Sequence, residues 1–305
     1  MAFTGLLAAA LLRAEAPSPP EKPVLPLRVA FTSQMFSSVN ESDAAAAVRI
    51  WAQMLGRDRG IPVDPEAAVL SGDDGTEQAL LRGLVDCVTM TAEEYWRHRR
   101  MLSPSPIIAA TVNGKLTEEY LLMVRKDSEI ARLEDLLGRS LTVFQSPRTS
   151  IAMIWLEILL AEARMPGPES AFSQITACPK LARAVLPVFF RQADACLITR
   201  NGLDTMSELN PQVGRELRIL ATSPAVVPTV FCFRKDYASP NREKLIAELS
   251  ALSSRPAGEQ FMALFQCGDF VQRGISCLDS AFELLERHHR LCPAKTEERK
   301  NGPEP

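Results

Sequence analysis

The segment Gln145-Ser146-Pro147-Arg148-Thr149-Ser150 stands directly before a long apolar run, and its residue types suit an anion cradle. Ser146 reads as a helix cap and Pro147 as the first helical residue, where its missing N–H costs nothing. The unpaired N–H groups of such a first turn, together with the helix dipole, favour negative charge. Thr149 and Ser150 add hydroxyl donors, and Arg148 adds a planar fork suited to phosphate or carboxylate. Two other stretches, Gly83 to Tyr95 and Gln192 to Arg200, each set an acidic residue, Asp86 or Asp194, before a short apolar run ending in threonine. These read as strands whose ends deliver Thr89, Thr91 and Thr199 to a crevice. Thr32, Ser33 and Phe36 follow the first strand in the same position. The wide separation of the two stretches implies two lobes facing one cleft. Asp86 and Asp194 themselves read as caps of helix-to-strand turns, and Trp155 as core.

The elements that must position these residues follow from periodicity and punctuation. Leu27 to Thr32 is a strand. Asp43 to Arg57 is a helix with Val48, Trp51, Met54 and Leu55 on one face and Asn40 or Ser42 as its cap. Thr76 to Leu84 is a second helix and Asp86 to Thr91 the next strand. Ile107 to Val112 and Glu119 to Lys126 are extended, and Ile130 to Leu137 is a short helix stopped by Gly138. After the strand Leu141 to Phe144, a helix runs from Pro147 through Arg164, apolar almost all round and so buried on several sides. Asp194 to Thr199 and Leu217 to Ala221 are strands, and Val226 to Arg234 returns to the first lobe. From Asn241 to His289 the pattern is helical, and Ala294 to Pro305 is a charged tail expected to be disordered.

Composition narrows the function. The 305 residues are enough for two domains with substantial cores. A net charge of −3 with scattered Lys and Arg provides no basic stripe for nucleic acid. The longest apolar run, Ile151 to Ala161, is interrupted by Glu157 and is too short to span a bilayer. Leu6 to Leu12 with Ala14-Glu15-Ala16 reads as a signal peptide and cleavage site over residues 1–16, followed by a Pro-rich linker over 17–26. Of the seven cysteines, Cys87, Cys196 and Cys232 sit in apolar strand-like runs as buried thiols, and Cys267, Cys277 and Cys292 are the better disulfide candidates. The three histidines, His98, His288 and His289, lie away from the strand ends where a catalytic base would be needed. No nucleophile elbow, phosphate loop, dinucleotide fingerprint or metal pair occurs, so no enzyme, cofactor or metal is expected.

Several collinear segments resemble the PhnD-like branch of the periplasmic substrate-binding proteins that feed ABC transporters, the binders of phosphate, phosphite and phosphonate. They are Leu27-Arg28-Val29-Ala30-Phe31, the Gly83-x-x-Asp86 turn with Tyr95 nine residues after the acid, and Leu122 to Ser128 followed by Leu133 to Gly138. The loop before the long helix and Leu217 to Pro224 complete the series. The resemblance implies an α/β, type II periplasmic binding protein fold, two α/β lobes around a ligand cleft with two crossings between them. It places Tyr95 in the cleft opposite the Ser146 to Ser150 turn, and Tyr120 near the first crossing. The sequence departs from the family where a histidine is replaced by the Ala177-Cys178-Pro179-Lys180 region and where Thr199 replaces an acid, which argues against recognition of an amino group.

The expected organisation is lobe 1 over 27–116, lobe 2 over 117–224, a return to lobe 1 over 225–290, and a tail over 291–305. The expected function is the periplasmic solute-binding component of an ABC transporter, a monomer that closes on a small anion and presents it to a membrane permease. The alternative is a two-lobed sensor that signals to a partner protein without transport.

Overall fold

The computed structural model describes residues 25–36, 41–64, 66, 68–255, 258–259, 262–263 and 267–293. The predicted cleavage site, Asn40 and the tail from Ala294 lie outside them, as do the side chains of Val48, Trp51 and Met54. The first segment alternates β1 (Val29–Thr32), α1 (Glu41–Arg59), β2 (Ala68–Leu70), α2 (Gly72–Leu81), β3 (Cys87–Thr91), α3 (Ala92–His98) and β4 (Ile107–Ala110). The middle segment contains β5 (Tyr120–Arg125), β6 (Ser140–Phe144), α4 (Ala152–Glu162), α5 (Pro168–Ala171), β7 (Gln174–Cys178), α6 (Leu181–Phe189), β8 (Ala195–Thr199), α7 (Arg200–Leu209), α8 (Pro211–Glu216) and β9 (Leu217–Thr222). The last contains β10 (Thr229–Phe233), α9 (Asn241–Ser250), β11 (Phe270–Arg273) and α10 (Asp279–Leu291).

Two sheets organise these elements. The first has the order β11-β4-β10-β3-β1-β2 and the second β7-β6-β8-β5-β9. In the first, β1 runs parallel to β2 and β3, while β10 lies antiparallel between β3 and β4, and β11 is antiparallel to β4. In the second, β6 runs parallel to β7 and β8, and β5 lies antiparallel between β8 and β9. Helices cover both faces, so β1 is buried on both sides: Val29 and Phe31 enter one core cluster and Ala30 another. The chain passes from the first sheet to the second between Ala110 and Tyr120, and back between Thr222 and Thr229. The two passing segments are tied together. Glu118 and Val226 exchange backbone hydrogen bonds of 2.7 and 2.9 Å, and the Tyr120 N–H donates to Ser223 Oγ at 2.8 Å.

Asp86 and Asp194 do the same job in the two lobes. Asp86 accepts from the Arg28 N–H at 3.0 Å and from its guanidinium at 2.7 Å, fixing the start of β3 against the start of β1. Asp194 accepts from the N–H and hydroxyl of Ser140 at 2.9 and 2.7 Å, fixing β8 against β6. Both acids sit at the amino ends of their strands, away from the crevice. That agrees with their structural reading.

Three expectations need correction. Pro147–Thr149 is a separate 3-10 turn and the α-helix starts only at Ala152. The predicted helix from Ile130 is a 3-10 turn, Leu133–Leu136, although Gly138 does adopt the left-handed conformation, with φ of 71°. The predicted helical stretch after Asn241 is broken by β11, an edge strand bounded by Gly268 and Gly274. No disulfide joins the described cysteines, so Cys267, Cys277 and Cys292 are not bridged to one another, and Cys87, Cys196 and Cys232 are fully buried.

α4 is covered by α10, the C-terminal helix. Its one internal charge, Glu157, is buried and bound to the equally buried His288 of α10, as a charge in such a place requires. α10 also stacks Phe282 on Tyr95 of α3, with ring centroids 6.1 Å apart. One helix thus packs against α4 of the middle segment and α3 of the first.

Candidate functional site

A cavity of about 510 Å³ opens between the sheets. The second lobe meets it with three strand-to-helix junctions. The β6 to α4 loop brings Ser146, Pro147 and Arg148, the β7 to α6 junction brings Lys180, and the β8 to α7 junction brings Thr199 and Asn201. Each junction leaves N–H groups of a helical first turn near the cavity, as expected at the carboxyl edge of an α/β sheet.

The β6 to α4 loop is held from within. Thr149 Oγ1 accepts from the Ser146 N–H at 2.9 Å and donates to the Ser146 carbonyl at 3.0 Å, which closes the turn. Tyr120, fully buried in the crossing strand, donates its hydroxyl to the Arg148 carbonyl at 3.2 Å and fixes the turn to that strand. Burial holds that phenol well above its usual range, so it stays a donor. Ser146 Oγ is buried, lines the cavity and has no hydrogen-bond partner among the described residues. Thr199 caps α7 by accepting from the Gly202 N–H at 3.0 Å, which leaves its own proton to donate.

The charges at the cavity are few. Arg148 Nε lies 3.5 Å from Glu118 Oε2, and that carboxylate is only 3% exposed. Glu118 Oε1 also accepts from the Asn201 N–H at 3.1 Å, so the acid links the crossing strand to α7. Lys180 is exposed and forms no ion pair among the described residues. Cys267 also borders the cavity. Burial pushes its thiol up to about 11 despite the nearby Arg148, so it is a neutral, weakly polar neighbour rather than a nucleophile.

On the first lobe, the polar residues at the strand ends turn away. Thr32 Oγ1 donates to Glu94 Oε2 at 2.9 Å, and the Thr91 N–H and hydroxyl donate to the same oxygen, each at 2.8 Å. Glu94 is itself buried. Burial raises its carboxyl above the usual glutamate range, against the lowering effect of these donors. The first lobe lines the cavity mainly with apolar side chains, Phe31, Met35, Ile108, Phe231 and Phe270 among them, together with Thr89 and Thr229.

Of the residues read from the sequence as ligand contacts, Thr89, Ser146, Arg148 and Thr199 therefore line one cavity. The others have different places. Thr32 and Thr91 bind Glu94, Thr149 closes its own turn, and Tyr120 buttresses Arg148. Ser33 and Phe36 lie in the 3-10 turn beside Met35, where Phe36 packs on Phe31 with centroids 5.7 Å apart. Ser150 follows the turn without reaching the cavity, its buried Oγ lacking a partner among the described residues. Tyr95 is in the core, stacked on Phe282 and donating to the Ser103 carbonyl at 3.2 Å, which corrects the cleft position implied by the resemblance. Sequence reasoning missed Glu118 and Lys180. Lys180 directly precedes α6, a position the register of β7 would have exposed had that strand been recognised.

Comparison with known proteins bears on the fold and the family. Residues 34–273 match the family described as ABC transporter, phosphonate, periplasmic substrate-binding protein. No curated protein matches by sequence. Among solved structures, a Xanthomonas citri protein bound to chloride ion has a TM-score of 0.62 at 17% identity, over 88% of this chain and 99% of that one. A binding-protein component of an ABC phosphonate transporter from Pseudomonas aeruginosa has a TM-score of 0.59 at 16% identity, over 88% of each chain. PhnD1 from Prochlorococcus marinus, in complex with methylphosphonate, has a TM-score of 0.56 at 13% identity, over 87% of this chain and 97% of its own. At these identities the neighbours speak to the fold, the two-lobed type II binding-protein architecture, while the family match over most of the sequence assigns membership: this chain belongs to the periplasmic substrate-binding proteins of phosphonate ABC transporters.

Proposed function

We propose that the chain captures an oxyanion at the second-lobe rim of the cavity, closes around it, and delivers it to a membrane permease. The observation that carries this reading is the Ser146 hydroxyl, buried at the cavity without a partner among the described residues and set between Arg148 and the Thr199 junction. A buried hydroxyl is normally satisfied, and an anion's oxygens would satisfy this one. Lys180 adds an accessible cation on the same side. The paired segments on either side of Glu118 and Val226 are the hinge in this reading, with lobe 1 over 27–116 and 225–290 and lobe 2 over 117–224. Export rests on the Ala14-Glu15-Ala16 pattern, which sets the mature N-terminus near Pro17. The protein acts as a monomer, and no feature of the fold calls for the sensing alternative.

Titration calorimetry with inorganic phosphate and methylphosphonate tests the site. Both should bind, and Ser146→Ala should weaken them by about tenfold, the cost of one hydrogen bond to a charged group. Unchanged affinity in both Ser146→Ala and Lys180→Ala would move the site elsewhere. Small-angle scattering should show a smaller radius of gyration with the bound anion than without it.

A further inference from the structure

An oxyanion at the rim leaves most of the cavity empty. Its volume of about 510 Å³ falls within the roughly 300–1,000 Å³ that sites for drug-sized organic molecules occupy. A phosphate or methylphosphonate has only a handful of heavy atoms. The remainder of the space has a defined chemistry, set by the register of the first sheet. Phe31 pairs with Thr89, Thr89 with Phe231, and Phe231 with Ile108, so these four side chains share one face as a row across β1, β3, β10 and β4. All four line the cavity, and Leu249 of α9 and Phe270 of β11 line it too. The polar side chains on this side are Thr89, within the row, and Thr229, while Thr32 and Thr91 are bound to Glu94. The cavity therefore has a polar rim on one lobe and an aromatic chamber on the other.

The charges specify the head group further. Among the described lining residues the formally charged side chains are Arg148, Lys180 and Glu118, which leave one net positive charge. We infer that the ligand is an amphiphilic monoanion, a singly charged oxyanion head carrying an alkyl or aryl tail, with the head at Ser146, Arg148, Lys180 and Thr199 and the tail on the Phe31 to Ile108 row. This rests on the oxyanion reading above and assigns the substrate class it leaves open.

Calorimetry with methyl-, butyl-, octyl- and phenylphosphonate, octanesulfonate and 1-octanol separates the two claims. Each methylene buried in the chamber should raise affinity by about fourfold, until the tail fills it. Octylphosphonate should then bind more than a hundredfold tighter than methylphosphonate, with octanesulfonate, a strict monoanion, at least as tight. Phe270→Gln, on a partly exposed edge strand, should lower octyl affinity by about tenfold and leave methylphosphonate unchanged. If methylphosphonate binds and the series is flat, the amphiphile proposal falls while the oxyanion reading stands. If octanol binds as tightly as octylphosphonate, the charged head is refuted and the oxyanion reading with it. If none of the compounds binds, both are overturned.

Discussion

The two lobes use the same strand-end threonines in opposite ways. In the second lobe, Thr199 ends β8, caps α7 through the Gly202 N–H, and still faces the cavity with a proton to donate. In the first, Thr91 ends β3 and caps α3 in the same manner, accepting from the Glu94 N–H at 3.2 Å, but its own proton goes back to the Glu94 carboxylate. The residue at the third helical position decides the difference. An acid at the third position of α3 completes a reciprocal cap and also captures Thr32, whereas Gly202 at the corresponding position of α7 has no side chain with which to compete. A helix start is open to a ligand only when the protein does not supply its own anion.

The largest expected effect comes from Arg148, because it belongs both to the polar rim and to a buried pair. Read from the sequence, Arg148 is only a planar fork for an anion, which Arg148→Ala removes. With Glu118 almost wholly buried 3.5 Å away, the substitution also strands a carboxylate. Arg148→Ala should therefore weaken methylphosphonate binding by about ten- to a hundredfold and lower stability by about 1–3 kcal/mol. Adding Glu118→Gln should recover the stability but not the affinity, as followed by urea unfolding and calorimetry on both variants. A double variant that recovers both would mean that Arg148 serves Glu118 alone.

Lys180 sharpens the comparison without that complication. It is exposed and unpaired among the described residues, so Lys180→Ala should cost about tenfold in anion affinity, and less at high salt, while the unfolding midpoint stays put. An affinity that does not depend on Lys180 would leave the rim with no cation except the one that Glu118 already neutralises.

How much of this could be read from the sequence depended on whether a residue's partner lay nearby in the chain. The strand read at Asp86 to Thr91 and the left-handed stop at Gly138 announce themselves through local spacing, and the structure keeps them, whereas the helix start read at Pro147 is a separate 3-10 turn. Thr149 was rightly placed in that turn, but its hydroxyl is used by Ser146 three residues back, a competition that residue type does not reveal. The bonds from Thr32 to Glu94 and from Arg148 to Glu118 span 62 and 30 positions, and nothing in the local pattern marks them. β11 escaped because four residues on a sheet edge carry too short an alternation to be distinguished from a helix. Tyr95 matched a family position, yet the stack on Phe282 of the C-terminal helix determines where its ring lies.

Tyr120 offers a smaller test of how the second-lobe rim is held. Its hydroxyl supports the Arg148 carbonyl from the crossing strand, and the ring lies outside the cavity. Tyr120→Phe should lower stability by about 0.5–1.5 kcal/mol and weaken the anion only a few-fold, by loosening the turn rather than removing a contact. A loss as large as that of Arg148→Ala would instead place the hydroxyl at the ligand.

The smallest effect on binding is expected from Thr32, and it tests the comparison most directly because Thr32 was read as a ligand contact. In the fold its hydroxyl stabilises the ionised Glu94. The carboxyl of Glu94 is raised above the ordinary value of 4.5 because burial outweighs its hydrogen bonds. A carboxyl whose folded pKa is raised contributes stability in full below the unfolded value and loses it as pH rises through the folded one. Thr32→Val removes one of the bonds that hold that value down, so the folded pKa should climb further and the loss on raising the pH should grow. The variant should be destabilised by about 1 kcal/mol near neutral pH and by less near the ordinary glutamate range. Methylphosphonate affinity at neutral pH should stay at the wild-type level. Urea unfolding at the two pH values together with calorimetry decides the matter. A destabilisation that does not change with pH would mean that Glu94 does not titrate against this bond. A drop in affinity would return Thr32 to the ligand and remove the asymmetry between the lobes.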